Sequence, residues 1–419
     1  MPGHHDRGVR RRPAIVAISG VAMLASLAGA CLATSRAIEP GTADGPLPPP
    51  PPSGPTAPAV GRPRSFTVVA TGDIAPAAAA APGAPGAPGG RLDYRRPLRP
   101  FLTLIGGADL AICHLATPLP PTSSPAAAEL AGLGYDTCST ASDHALAAGA
   151  DGVTRTLEGL DRAGLRHTGT ARGAAEAAAP AIVNVKGVRV AQLSYAADPA
   201  RSRPHRTQPW LANRMDPRRI VAAARRAKRA GARVVIVSLH WGREHRRAAT
   251  PAQIALARRL LAAEDVDLIV GHGAGVVQPF GRAVGGKYVA YGLGHLLTAP
   301  RGGADATADE TGAGPGNGAG AHNEGIVARF TFTRGGGGWR VTRVEYVPTY
   351  ADPGPPPRVL ELTTELADPR LTAARRAFLA NVLGRTSRTV RGRGVVPILT
   401  GARPGPIDGV IPSHGRPGN

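Results

Sequence analysis

The apolar run Val234-Val235-Ile236-Val237-Ser238-Leu239 constrains this chain more than any other stretch. It lacks any alternation of apolar and polar residues, so a strand made from it is buried on both faces. The run stops at His240-Trp241-Gly242, which puts polar chemistry at the strand's carboxyl end, the edge where ligands of open α/β sheets gather. Thr250 as N-cap and Pro251 at the first helical position then open a helix. Its apolar residues Ile254, Ala257, Leu260 and Leu261 recur at helical spacing. Asp267 to Val270 make a second buried strand, followed by Gly271-His272. Two strand ends that each deliver a histidine to one rim point to a metal or phosphate site.

The formal charge of +21 invites a nucleic-acid reading, but aromatic residues are only 4% of the chain, too few for a base-stacking platform. The only lysines are Lys186, Lys228 and Lys287, and the arginines are spread through an Ala/Gly/Pro-rich background, the pattern of a GC-rich coding bias. An anionic polymer or a phosphate-bearing cell-surface partner is compatible with the charge. At 419 residues and 42% hydrophobic content, the chain can bury a sizeable core.

Arg7, Arg10, Arg11 and Arg12 precede an apolar stretch from Ala14 to Ala30, the shape of an export signal. Ala28-Gly29-Ala30-Cys31 is similar to a lipobox, in which Cys31 is lipidated after cleavage; plain signal cleavage and an uncleaved anchor helix are the alternatives. Four segments follow from composition: an export segment over 1–34, a stiff Pro-rich linker over 35–63, a folded domain over 64–400 and a disordered tail over 401–419. Export permits a disulfide between Cys113 and Cys138, although buried single thiols are the favoured reading.

Within the domain, strands are expected at Phe66–Thr71, Asp109–Cys113, Tyr135–Ala141 and Tyr288–Tyr291, with hairpins about Lys186-Gly187 and across the glycine run near 336. Leu98 to Ile105 reads as helical, and a helix carrying Leu146, Val153, Leu157 and Leu160 on one face runs to Gly164. Asp216-Pro217 caps another helix, and Asp368-Pro369 opens a last one that ends before Gly384. The stretch from Pro118 to Leu130 is poor in structure signals, and the Gly/Ala-rich tracts over 75–90 and 302–320 read as loops.

Six strand ends, expected in one sheet, carry polar residues: Asp73, His114, Asp143-His144, His240, His272 and His295. Carboxylates with imidazoles are the donors that divalent ions of the Mn, Fe or Zn class require. Two such ions, about 3.5–4 Å apart, polarise phosphate and generate hydroxide.

The segments T-G-D-I, A-D-L-A-I-C-H-L-A-T-P-L, G-Y-D-T-C-S-T-A-S-D-H-A-L, V-S-L-H-W-G-R-E, I-V-G-H-G-A-G-V-V-Q-P and Y-G-L-G-H resemble the CapA family of capsule (poly-γ-glutamate) synthesis, from about Arg64 to Leu366. The resemblance implies an α/β fold of the calcineurin-like metallophosphatase type: an α/β/β/α sandwich, two packed mixed sheets flanked by helices, with a dinuclear site at the strand ends. It implies metal ligation by Asp73, Asp143, His144 and His240, with His144 also a candidate catalytic acid or orienting group. His114, His272 and His295 are auxiliary donors. Three positions depart from the family's ligands. Ala116 stands in place of a glutamate, and Gly273 and Gly275 stand in place of two histidines; His295 also replaces the asparagine of the family's Gly-Asn turn. Such a site keeps donors for one ion or none. The implied role is that of an exported, membrane-attached protein acting in capsule or other cell-surface polymer biosynthesis alongside the polymer-synthesis machinery. The alternative is a non-catalytic binder of an anionic polymer or synthase partner, with Arg243, His245, Arg246 and Arg247 beside the cleft.

Overall fold

Alternation along each buried strand sorts its side chains between two layers, and the layers stack four deep. The computed structural model describes residues 64–75, 94–120, 124–198, 207–297, 323–352, 358–390 and 395–397. The export segment with Cys31, the 35–63 linker, the 401–419 tail and nearly all of the two Gly/Ala-rich tracts lie outside the described residues.

Strands β1 (Ser65–Ile74), β2 (Leu110–Leu115), β3 (Thr137–Ser139) and β4 (Arg166–Thr168) pair in parallel in that order. The chain then crosses to a second sheet. There β5 (Ala181–Val185) and β6 (Val188–Ala196) form a hairpin whose tip residues Lys186 and Gly187 take φ of 49° and 80°, as a type I′ turn requires. β7 (Val234–His240) and β8 (Leu268–His272) continue that sheet in parallel, and the hairpin of β9 (Phe280–Ala283) with β10 (Lys287–Ala290) closes it. β11 (His295–Leu297) returns to the first sheet beside β1. β12 (Glu324–Gly335), β13 (Gly338–Asp352) and β14 (Arg358–Glu361) add antiparallel strands on that side, and β15 (Val395–Pro397) pairs with β13. The two sheets are therefore mixed, ordered β14-β13-β12-β1-β2-β3-β4 and β5-β6-β7-β8-β10-β9.

The sheets pack face to face. Phe66, Val68, Ala70 and Ile112 of the first share one core with Val234, Ile236, Leu268 and Val270 of the second. The odd partners of the same strands point outward. Val69 and Ala111 pack under α1 (Ser124–Gly132) and α2 (Gly149–Arg162). Val235, Val237 and Leu239 pack under α3 (Pro217–Arg229) and α4 (Pro251–Ala262). The run Val234–Leu239 is continuously apolar because each face meets a different core. Asp216 caps α3 by accepting from the amides of Arg218 and Arg219, and Thr250 with Gln253 forms a full capping box on α4. The outcome is the helix–sheet–sheet–helix sandwich that the motifs implied.

Three expectations need correction. The stretch after Pro118 contains a helix, α1, because Ala126, Ala127 and Leu130 are fully buried and alanine propensity carries the segment. The last helix, α5 (Ala373–Val390), does not stop at Gly384. Gly384 costs about 1 kcal/mol in a helix interior, and burying Leu379, Val382 and Val390 outweighs it. Cys113 and Cys138 are not separate thiols. They face each other in the β2–β3 register with Cα atoms 4.5 Å apart and form a disulfide.

That bond spans 25 residues of chain. On loop entropy it stabilises the fold by about 3.5 kcal/mol. Urea unfolding of the oxidised and the dithiothreitol-reduced protein should show a lower midpoint for the reduced form. Coincident curves would mean that the crosslink adds nothing.

Candidate metal centre

The carboxyl ends of β1 and β2 in one sheet meet those of β7 and β8 in the other. Asp73 pairs in register with His114 and with His295, and His240 pairs with His272. The polar strand ends therefore belong to two sheets rather than one. A doubly covered strand has the same apolar look in either sheet, so sequence alone does not separate them.

From this edge a continuous line of side-chain contacts runs outward. Asp73 Oδ1 lies 2.9 Å from His272 Nδ1, and Asp73 Oδ2 accepts from the Gly273 amide at 3.1 Å. The His272 ring stacks on His114 with centroids 3.9 Å apart. His114 Nε2 is 3.0 Å from His240 Nδ1, and His240 Nε2 is 2.9 Å from Asp143 Oδ1. Asp143 Oδ2 in turn lies 3.8 Å from His144 Nε2, whose side chain is 46% exposed. Asp73, His114 and His272 are buried at the inner end, and His144 sits at the open end.

The network assigns the tautomers. Ser139 Oγ donates to the Cys113 carbonyl at 3.2 Å, so it accepts from His114 Nδ1–H at 2.8 Å. His114 Nε2 is then an acceptor for His240 Nδ1–H. The contact between His240 Nε2 and Asp143 holds one shared proton. On the inner side, Asp73 accepts from His272 Nδ1–H, which leaves a lone pair on His272 Nε2. That atom is buried and has no hydrogen-bond partner.

Burial pushes His114 well below the usual imidazole range and also pushes His272 down, so both are neutral at pH 7. Burial alone would raise Asp73, but the hydrogen bond from His272 and the fields of His114, His272 and His240 outweigh it and hold the carboxyl far below its ordinary range. One carboxylate and two neutral imidazoles are the protonation states a divalent cation needs. Donor atoms of Asp73, His114 and His272 lie within 4.8 Å of one another. The orphaned Nε2 of His272 supplies the independent test: a buried lone pair without a partner is what a coordinated cation satisfies. The residues fit a cation.

The fold leaves no room for a side chain at Gly273 and little at Gly275. A Cβ on Gly273 would lie 2.7 Å from the His240 ring, and a Cβ on Gly275 would lie 3.3 Å from the His295 ring. Imidazoles from β7 and β11 occupy the space above both glycines. Ala116 contributes only backbone, donating to the Ile74 carbonyl and accepting from Ser142 Oγ. The basic loop after β7 is partly committed elsewhere, since Arg247 reaches the fully buried Glu324 at 2.8 Å. Sequence reasoning missed Ser139 and the Gly273 amide. The parallel register that pairs Cys113 with Cys138 also places Ser139 opposite His114, and that offset was the available signal.

Gly273→Ala should strain a backbone held at φ +86° and drive the His240 ring off His114. The conformational part alone costs about 1–2 kcal/mol. Thermal unfolding and cation titration should both shift in this variant; an unchanged melting temperature would contradict the placement of His240.

Residues 67–299 match the family described as bacterial capsule synthesis protein PGA_cap. The chain is 31% identical over 151 residues to the capsule biosynthesis protein CapA of Bacillus anthracis, covering 35% of this chain and 36% of that one. It is 29% identical over 170 residues to a probable polyglutamine synthesis accessory protein of Mycobacterium tuberculosis, covering 38% and 44%. The matches thus span less than half the length of these curated relatives. Similar solved structures include the NAD nucleotidase of Haemophilus influenzae, with TM-score 0.42 and 12% identity over 80% of this chain and 57% of that one. The calcineurin-like phosphoesterase YfkN of Bacillus subtilis has TM-score 0.35 and 13% identity over 77% and 97%.

Proposed function

Because the chain belongs to the bacterial capsule synthesis protein family PGA_cap, we propose that it acts in the biosynthesis of a cell-surface polymer through a one-cation site built on Asp73, His114 and His272. The unpartnered, buried Nε2 of His272 beside two further donors is the observation that carries this reading. A divalent cation of the Mn, Fe or Zn class supplies Lewis acidity toward a phosphoryl or acyl oxygen and lowers the pKa of water. The chain's own residues do the rest. Ser139 fixes the His114 tautomer and leaves the lone pair on Nε2, which accepts from His240 Nδ1–H and would exchange that partner to hold a cation. Asp143 and His240 hold a proton between them at the mouth. His144, on the exposed side of Asp143, is placed to give a proton to a leaving group or to orient the arriving substrate. Ala116, Gly273 and Gly275 bring no side-chain donor, which favours one cation over two.

The domain works outside the cell membrane in this reading, attached through the 1–34 segment, with Cys31 as the lipidation point and the Pro-rich linker as spacer. The Cys113–Cys138 disulfide supports an oxidising compartment. The partners are the polymer-synthesis machinery and the polymer itself.

The missing donors favour a second reading, a protein that binds an anionic polymer without turning it over. Cation-loaded protein incubated with phosphate esters and γ-glutamyl peptides separates the two. Turnover that is lost in Asp73→Asn and reduced in His144→Ala supports the enzyme. A bound cation without turnover supports the binder.

A further inference from the structure

Part of the +21 charge is concentrated on one surface, and that surface lies outside the metal centre. A groove of about 670 Å³ runs between α3 and α4 on the outer face of the second sheet. Arg218, Arg225, Arg226, Arg229 and Arg259 line it, and none of its lining residues is acidic or aromatic. All five arginines are exposed. Arg225 has a carboxylate partner, Asp265, at 3.2 Å. Ala222 and Ala262 keep the floor shallow and open.

Arg226 and Arg229, in the last turn of α3, suit the helix dipole, but the rest of the pattern works against the helix beyond its Asp216 cap. Arg218 and Arg219 occupy the first turn of α3, where the helix dipole is positive and disfavours cations, and that turn contains no acidic residue. Arg225 and Arg229 are like charges at i,i+4, which repel. Exposed guanidinium groups gain no packing in return. A row of fixed forks one to two helical turns apart matches an extended chain of carboxylates, each met by paired N–H donors.

We propose that the α3–α4 groove binds a flexible, linear polycarboxylate. The absence of aromatic side chains in the groove argues against single-stranded nucleic acid, which needs stacking surfaces. Val284 is the large hydrophobic side chain exposed among the described residues and lies outside the groove, so the surface offers a bilayer nothing to insert. The groove also has a direction. Ala196, in register with His240, forms a bridge to Arg214, just ahead of α3, so the Arg218 end starts at the sheet edge where the metal centre opens. A polymer held there is led toward that edge. The binding itself does not depend on the cation site.

Fluorescence anisotropy of labelled poly-L-glutamate with the full-length protein tests this, at low and at moderate salt. The triple variant R218Q/R229Q/R259Q should weaken binding by about tenfold or more, with a shallower salt dependence. The control R334Q/R340Q/R388Q removes the same charge from exposed positions elsewhere and should bind as wild type does. Protein stripped of cation with EDTA should bind as the untreated protein does, so a failed metal reading leaves this result intact. Equal losses in both triple variants would reduce the effect to net charge and overturn the proposal. So would the absence of binding by the wild type, or binding to an oligonucleotide or to phosphatidylglycerol vesicles as tight as to the polymer.

Discussion

Metal-free protein should lose stability steeply between pH 7 and pH 5, and two buried histidines should account for the loss. His114 and His272 are held below the ordinary imidazole value of 6.5 by burial, so the folded state keeps them neutral where the unfolded chain protonates them. Stability then falls as pH falls below that value, because the unfolded state binds more protons. The loss grows with each proton that the unfolded chain binds and the fold does not, and it levels off once the folded rings take up theirs. Asp73 adds no slope in this window. Its carboxyl is depressed, so its contribution is fully present above the ordinary aspartate value of 3.8 and is lost only in stronger acid. Urea midpoints measured in EDTA at pH 7, 6 and 5 test the prediction, and His114→Gln with His272→Gln should flatten the profile. A flat wild-type profile would mean that these rings take up protons freely in the fold. Saturating cation should restore stability at the upper end of the range, since a ligand of the folded state stabilises it by mass action.

Asp73→Asn should lower cation affinity by about 100-fold or more, since it removes the only charged donor of the buried trio. Asparagine offers one carbonyl and one amide group. It keeps the bond from His272 Nδ1–H or the bond from the Gly273 amide, but not both. One buried donor is left unmet, at about 1–3 kcal/mol. The variant should therefore unfold at lower urea even without metal. His144→Asn changes the exposed end of the line of contacts and should leave cation content as in wild type. If instead His144→Asn released the cation and Asp73→Asn retained it, the donors would lie at the mouth and not in the buried pocket.

Much of this is legible in the sequence. Strands with both faces covered advertise themselves as uninterrupted apolar runs, and the stretches from Val234 to Leu239 and from Asp267 to Val270 read that way. The residues that end them, His240 and His272, do reach one pocket with Asp73. Sequence could not rank the donors. His114 and His272 looked auxiliary beside Asp143 and His144, yet burial puts them at the centre, because depth in a pocket depends on which sheet a strand joins. The disulfide was equally hidden, since register between β2 and β3 decides whether two buried cysteines meet. The arginines of α3 read as dispersed composition until the helix put Arg218, Arg225 and Arg229 on one face beside Arg259 of α4. Gly273 and Gly275 looked like plain losses, and only the fold shows the His240 and His295 rings lying over them.

In the proposed reading, Asp73, His114 and His272 together hold a single divalent cation. Elemental analysis of the purified protein, after incubation with Mn, Fe or Zn salts and exhaustive desalting, tests it most directly. One ion per chain is the expected result, absent from Asp73→Asn. Folded wild-type protein that retains none, or that retains two, would contradict it.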